Sequence, residues 1–250
     1  MEKHTKARPQ WPPACWLLGA ILVGVGPIGD ARAEPQWRVG AGTDAPLDVH
    51  LSGEVTWPSR VSIYGSLGMV PPGYIHMANE VVITFGGWSE STGQVVESAL
   101  QRSLSSQVGL RWQPWSKVGF RIGAGYQNLA LGGGATTEEL LVAMTGVEMP
   151  TEQGRFGVLS EDKEWDLSAK VHLLRAELSY RIPFGEHWAM ETGLGGAFTL
   201  GAKAQLAPTY EPRFPAASDL LAEEGEAWLE ENLERYLHTP SLRVGVHYQF

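Results

Sequence analysis

At 250 residues the chain is long enough for one large domain or two small ones, and a formal charge of −9 without any Lys/Arg run argues against nucleic-acid binding. A single cysteine, Cys15, excludes a disulfide framework. The first 33 residues read as a secretory signal: Lys3, Lys6 and Arg8 make a basic start, Ala14 to Gly26 an apolar segment, and Pro27-Ile28-Gly29 a helix break. Ala31-Arg32-Ala33 then supplies an A-x-A-like cleavage site, so that Glu34 opens the mature chain. The apolar segment falls short of the roughly 18 residues a spanning helix needs, which favours cleavage over anchoring. Cleavage removes Cys15 together with four basic groups (Lys3, Lys6, Arg8, Arg32) and two acidic ones (Glu2, Asp30), moving the formal charge from −9 to −11. Residues 34–250 are read as one domain.

Downstream, no stretch is long and apolar enough for a transmembrane helix. If the mature chain spans a membrane it does so as a closed barrel, the other structure that satisfies every backbone group in lipid. Period-two alternation, the mark of a strand with two unlike faces, dominates from residue 36 onward. It predicts strands over about Gln36–Thr43, Leu47–Trp57, Arg60–Val70, Leu104–Gln113, Val118–Leu131, Trp165–Ile182, Trp188–Leu200 and Leu242–Phe250. In the sixth of these, Leu167, Ala169, Val171 and Leu173 are assigned to the outer face, followed by Leu174, Ala176, Leu178, Tyr180 and Ile182. The apparent phase change at Leu173-Leu174 predicts a β-bulge. Thirty glycines, about 12% against a usual ~7%, suit a tightly curved all-β structure.

The connections sort into two kinds. Trp57-Pro58-Ser59, Gln113 to Ser116 and Pro183 to His187 are tight turns. The opposite end has one short link, Asp44-Ala45-Pro46, and three long segments, about 71–103, 132–164 and 205–240. Short turns at one end and long loops at the other are the pattern of a transmembrane barrel with periplasmic turns and external loops. Helices are expected inside the loops: Thr136 with Glu139 forms a capping box closed by Gly146, and Ser91 with Gln94 opens a helix near 92–102. Ser218-Asp219 opens a third, with an apolar stripe of Leu221, Trp228, Leu229, Leu233, Tyr236 and Leu237. Gly132-Gly133-Gly134 reads as a turn, since no Lys-Ser/Thr follows to make a phosphate loop.

A soluble barrel alternates too, but with its apolar side chains inside. Here the polar faces are rich in glycine and almost free of lysine, which suits a narrow lumen better than solvent. Trp37, Trp57, Trp112, Trp115 and Trp188 fall at the short-turn ends of strands, where an interfacial aromatic girdle belongs. The expected lumen residues are Arg38, Asp48, His50, Glu54, Arg111, Arg121, Lys170, His172, Arg175, Glu177, Arg181, Glu191, Arg243 and His247. Both signs of charge in so narrow a space favour an ion-paired core, since an unpaired buried charge is costly. His50, Glu54 and His172 are the nearest approach to a metal or acid/base set, but lumen histidines are more often structural; no cofactor or metal is expected.

With its signal, its alternation through residues 36–250 and its C-terminal Val244-Gly245-Val246-His247-Tyr248-Gln249-Phe250, the chain resembles the small eight-stranded outer-membrane proteins of Gram-negative bacteria, the OmpA/OmpX/OmpW type. The resemblance implies an all-β, eight-stranded antiparallel up-and-down transmembrane barrel with short helices in its long loops. It also implies that Tyr248 and Phe250 form the signal read by the barrel-assembly machinery, and that the partners are that machinery and outer-membrane lipid. The expected function is that of a monomeric, non-enzymatic outer-membrane barrel with a structural or surface-recognition role. The alternatives are a narrow channel for small or apolar solutes and a lipid-modifying enzyme.

Overall fold

The computed structural model describes residues 34–84, 103–145, 164–212 and 214–250, together with Gly93 and Glu97. Eight strands form a closed barrel: β1 Gln36–Ala45, β2 Asp48–Thr56, β3 Val61–Met69, β4 Leu104–Trp112, β5 Phe120–Thr136, β6 Glu164–Phe184, β7 Trp188–Pro208 and β8 Thr239–Gln249. Each pairs antiparallel with the next, and β8 closes on β1, with Val246 opposite Ala41. Closure leaves no edge in the membrane, and alternation sets the register, because a slip of one residue would exchange the two faces. The tight turns follow their sequences. Between β2 and β3, Arg60 takes φ 65°, while its amide donates to the carbonyl of Trp57 at 2.9 Å. Between β6 and β7, Gly185 takes φ 80°, which glycine adopts without steric cost.

The outer face carries an apolar belt that includes Val39, Leu51, Leu67, Val108, Ile122, Leu178, Leu194 and Val246, and Leu194 is 67% exposed. Such a belt around a polar interior requires lipid outside. The protein is a transmembrane β-barrel.

Strands β5, β6 and β7 run further than their alternation suggested, and above the belt their facing changes character. β6 alternates without a break. Trp165, Leu167, Val171, Leu173, Arg175, Glu177 and Ser179 are buried; Asp166, Ser168, Lys170, Leu174, Ala176 and Leu178 are exposed. Leu167, Val171 and Leu173 therefore face inward with half-buried Ala169, contrary to the outward assignment drawn from their hydrophobicity. What switches at Leu173-Leu174 is the surroundings: below it the outside is lipid, above it the outside is water. A register irregularity does lie there, between His172 and Leu173, but the residue skipped in the pairing is Leu200 on β7. Gly132-Gly133-Gly134 is part of β5, paired with Ser168, Leu167 and Asp166, and makes no turn.

The inward side chains of this three-stranded extension build an apolar core. Ala135, Trp165, Leu167, Ala204 and Leu206 form one cluster, and Leu129, Leu131, Val171, Leu173 and Ala202 continue it downward. Two helices complete it. In α2, Thr137–Thr145, Leu140 and Ala143 are buried, and its expected capping box is formed: Thr136 N donates to Glu139 Oε2 at 2.7 Å and Glu139 N to Thr136 Oγ1 at 3.2 Å. In α3, Pro215–Tyr236, Leu229 and Leu233 are buried. It starts three residues before the expected Ser218, with proline in its first turn, a position where the missing N–H costs nothing. A further helix, α1 at Pro72–Thr84, was not anticipated; it too opens on a proline. Of the helix expected near 92–102, only Gly93 and Glu97 lie within the described residues, both helical; Gly146 lies outside them.

Helix α3 also solves an edge problem. β8 begins at Thr239, opposite Ala197, so β7 beyond that point is paired with β6 on one side and has no strand on the other. Three glutamates of α3 take its place: Ala202 N donates to Glu234 Oε1 at 3.1 Å, Ala204 N to Glu230 Oε1 at 3.1 Å, and Leu206 N to Glu226 Oε1 at 2.9 Å. The fit is geometric. Four helical residues advance ~6 Å and two strand residues ~6.6 Å, so side chains at i, i+4 and i+8 meet successive edge amides. The row continues through Thr199, whose amide donates to His238 Nδ1 at 3.1 Å. Replacing Glu230 by alanine is expected to speed hydrogen exchange at the Ala204 amide about fivefold, the equivalent of ~1 kcal/mol for a lost hydrogen bond. Glu230→Gln, which keeps an acceptor oxygen, should exchange more slowly than Glu230→Ala. Wild-type exchange in the alanine variant would show that the helix does not seal this edge.

Candidate functional site

The polar interior below the apolar core is assembled by strand parity. Arg38 and Asp44 come from β1, Asp48, His50 and Glu54 from β2, and Tyr64 from β3. Arg111 comes from β4, Arg121 and Gln127 from β5, Arg175 and Glu177 from β6, Glu191 from β7, and Arg243 and His247 from β8. All of these side chains are buried. Among the described residues, the buried charged groups apart from histidine are five arginines and five carboxylates, so the interior is formally neutral.

Near the short-turn end, Glu54 accepts from Arg38 Nη1 at 2.9 Å, from Arg111 Nη1 at 3.0 Å and from both Arg121 Nη1, at 3.2 Å, and Arg121 Nη2. Glu191 lies 2.8 Å from Arg121 Nη1 and 3.3 Å from Arg111 Nη2, with His247 Nε2 at 3.9 Å. Arg111 Nε reaches Glu177, which in turn holds Arg243 Nη1 at 2.7 Å. Arg243 grips Asp44 with two nitrogens, Nε at 2.8 Å and Nη2, and Arg175 Nη2 stands 3.3 Å from the same carboxylate. One chain of ion pairs thus runs from Arg38 up to Asp44. The guanidinium of Arg111 also lies 3.9 Å over the ring of Tyr64. Arginine suits this work because its planar fork binds several acceptors at once.

A second polar group caps the first. Asp48 accepts from Ser105 Oγ at 2.6 Å and Gln127 Nε2 at 3.1 Å, and lies 2.8 Å from His50 Nδ1. Asp44, Asp48 and His50 bring possible metal-ligand atoms within 4.8 Å of one another. They suit a cation poorly, because Arg243 and Arg175 already stand against Asp44. The space bounded by His50, Tyr64, Arg111, Arg243 and His247 holds about 10 Å³, room for one water at most.

Most expected lumen residues meet in this network: Arg38, Asp48, His50, Glu54, Arg111, Arg121, Arg175, Glu177, Glu191, Arg243 and His247. Arg181 is half-buried at the mouth, where its Nη2 donates to Gln249 at 3.0 Å. Two assignments are corrected. Lys170 and His172 share the parity of Leu174 and Leu178 and lie on the outer face, above the apolar belt, where the hydrocarbon ends. The set His50, Glu54 and His172 is therefore divided by the barrel wall. Asp44 was read as part of a link, yet it is fully buried and holds two arginines. Its shared parity with Arg38 on β1 was the available signal.

At the short-turn end, Trp37, Trp57, Trp112, Trp115 and Trp188 are exposed around the rim. Tyr248 packs against both Trp188 and Phe250, with ring centroids 5.1 and 5.2 Å away. Glu34 is exposed, and Ala31 and Ala33 lie outside the described residues.

No protein-family model matches the chain, and no curated protein is similar to it in sequence. Among solved structures it is similar to a major outer membrane protein of Thermus thermophilus, at 13% identity over 87% of this chain and 100% of that one, with a TM-score of 0.45. It is also similar to the N-terminal β-barrel domain of Pseudomonas aeruginosa OprF, at 8% identity over 86% and 96%, TM-score 0.41. Acinetobacter baumannii CarO2 is a third, at 11% identity over 86% and 98%, TM-score 0.41.

Removing one partner from a buried charge network strands the others. Glu54→Ala leaves three guanidiniums short of an acceptor and is expected to cost about 3–5 kcal/mol, read from denaturant unfolding of the refolded barrel. A loss below ~1 kcal/mol would mean that the network does not hold the interior together.

Proposed function

We propose that this outer-membrane barrel is a non-conducting, non-catalytic anchor whose β5–β7 extension, with α2 and α3, stands outside the cell as a recognition surface. The observation that carries the reading is the double closure of the interior. An arginine–carboxylate network fills the lumen within the membrane, and above it Leu129, Leu131, Val171, Leu173 and Leu233 form a dry layer. Hydrated ions would have to break the first and wet the second. Four of the five buried carboxylates, Glu54, Glu191, Glu177 and Asp44, are each held by at least two arginines, which suits stability better than proton transfer, and the fifth, Asp48, is engaged by Ser105, Gln127 and His50.

In this reading the barrel is a monomer with its short turns in the periplasm. Phe250, 73% exposed beside the tryptophan girdle, is the residue offered with Tyr248 to the assembly machinery. The extension provides more surface than anchoring requires: β6 and β7 are each 21 residues long, whereas roughly 9–11 span a bilayer. Purified protein in planar lipid bilayers should show no steps above the bare membrane at applied potentials of about 100 mV, in keeping with a lumen filled by side chains. Reproducible unitary conductance would overturn the closed-barrel reading and favour the channel.

A further inference from the structure

The outer face of the extension holds an arrangement that folding alone does not explain. Lys170 on β6 and Lys203 on β7 are directly opposite in register, and both are exposed on the same face. Directly opposed residues of an antiparallel pair have Cβ atoms about 4.5–5.5 Å apart, where like charges repel. The protein is acidic, with a formal charge of −9, and of the three lysines among the described residues, Lys117, Lys170 and Lys203, two make this pair. Among the described residues neither of the two forms an ion pair.

The level of the pair on the barrel is equally specific. The uppermost outward apolar residues on these strands are Leu174, Phe198 and Leu200. Lys170 is four residues above Leu174, about 13 Å along the strand and roughly 10 Å in height once strands tilt by ~40°. Polar headgroups occupy some 5–8 Å on each side of the hydrocarbon, and long lysine stems bend toward them. The ammonium groups are thus carried at the phosphate level of the outer leaflet.

His172 adds a third donor. It lies on the outer face between Lys170 and the belt, stacked on Tyr126 with ring centroids 5.9 Å apart. Tyr126 OH bonds its Nδ1, and Asn128 Nδ2 lies 3.2 Å from the same nitrogen. With both groups donating to Nδ1, the imidazole proton resides on Nε2, which leaves an N–H donor on the far side of the ring. Tyr126 and Asn128 therefore act as positioning residues for His172.

We propose that Lys170, Lys203 and His172 form a binding site for the phosphate of an anionic outer-leaflet lipid headgroup. A phosphate placed between the lysines turns their mutual repulsion into two attractions and accepts from the histidine. The site depends on the belt lying in a bilayer but not on the lumen being closed, so conductance would leave it standing.

The test uses the full mature barrel in a neutral maltoside detergent, with diphosphoryl lipid A as probe and retention read by native mass spectrometry. Each lysine at a charged membrane surface contributes a factor of roughly five, so Lys170→Gln/Lys203→Gln should weaken retention about 25-fold. His172→Ala should weaken it less. Lys117→Gln, at the opposite rim, should retain the lipid as wild type does. Thermal unfolding in detergent without lipid separates binding from folding: the double variant should match or exceed wild type there, because a repulsion is removed. Inorganic phosphate at the same concentration should not compete, since it lacks the chains that place a headgroup at this height. Equal retention by wild type and the double variant would overturn the site, as would an equal loss in Lys117→Gln. Full competition by inorganic phosphate would reduce it to a site for free anions and overturn the lipid assignment.

Discussion

A strand has two faces, and in β5, β6 and β7 the solvent on one of them changes partway along. Below Leu174 the outer face meets lipid, so it is apolar and the enclosed face carries charge; above it the outer face meets water, so it is polar and the enclosed face is apolar. In β5 and β6 the backbone passes through this boundary in unbroken alternation, whereas in β7 the extra residue at Leu200 moves the inward positions from Ala189, Glu191 and Ala197 to Ala202, Ala204 and Leu206. Burial is inverted without any side chain turning round, because lipid and protein interior both exclude water. The register irregularity at Leu200 and the dry layer of Leu173, Leu129 and Leu131 lie close to this level.

Two kinds of interior follow from one barrel wall. Within the membrane an apolar filling would be compatible with lipid outside, but it would remove the contrast between faces that tells the strand which side is which. Arginine and carboxylate supply that contrast, and once buried they must be neutralised within reach, hence the sharing of Glu54 among three arginines. Above the membrane the wall is open, since β8 and β4 stop while β7 and β5 continue. A helix closes the gap. Its leucines fill the core, and its glutamates at every fourth position satisfy the edge amides that water would otherwise compete for.

How legible this was in the sequence depends on whether local pattern or global position decides a residue's environment. Strands β1 to β4 lie wholly in the membrane zone, where apolar means outward, and their bounds fall within two residues of the alternation. The Thr136–Glu139 box was legible because capping is local. Leu167, Ala169, Val171 and Leu173 were misassigned because hydrophobicity does not distinguish lipid from core; only the height of the residue does. His172 and Lys170 were placed in the lumen by the converse error, since polar was equated with inward along a strand that had already left the membrane. Asp44 is hidden in the sequence by its place two residues before Pro46, although its parity points inward. The register of Lys170 with Lys203 depends on the irregularity at Leu200 and could not be counted from the two strands separately.

The inversion of facing can be measured directly along β6 by placing nitroxide spin labels one at a time on introduced cysteines, in a chain whose only native thiol is Cys15. Collision with oxygen reports lipid, and collision with a water-soluble nickel chelate reports water. Labels at Leu174, Ala176 and Leu178 should favour oxygen, labels at Asp166, Ser168 and Lys170 should favour nickel, and Leu167 and Val171 should be shielded from both. Oxygen-dominated collisions at Leu167 and Val171, with Ser168 and Lys170 shielded, would contradict the inversion and put the apolar face of the whole strand in lipid.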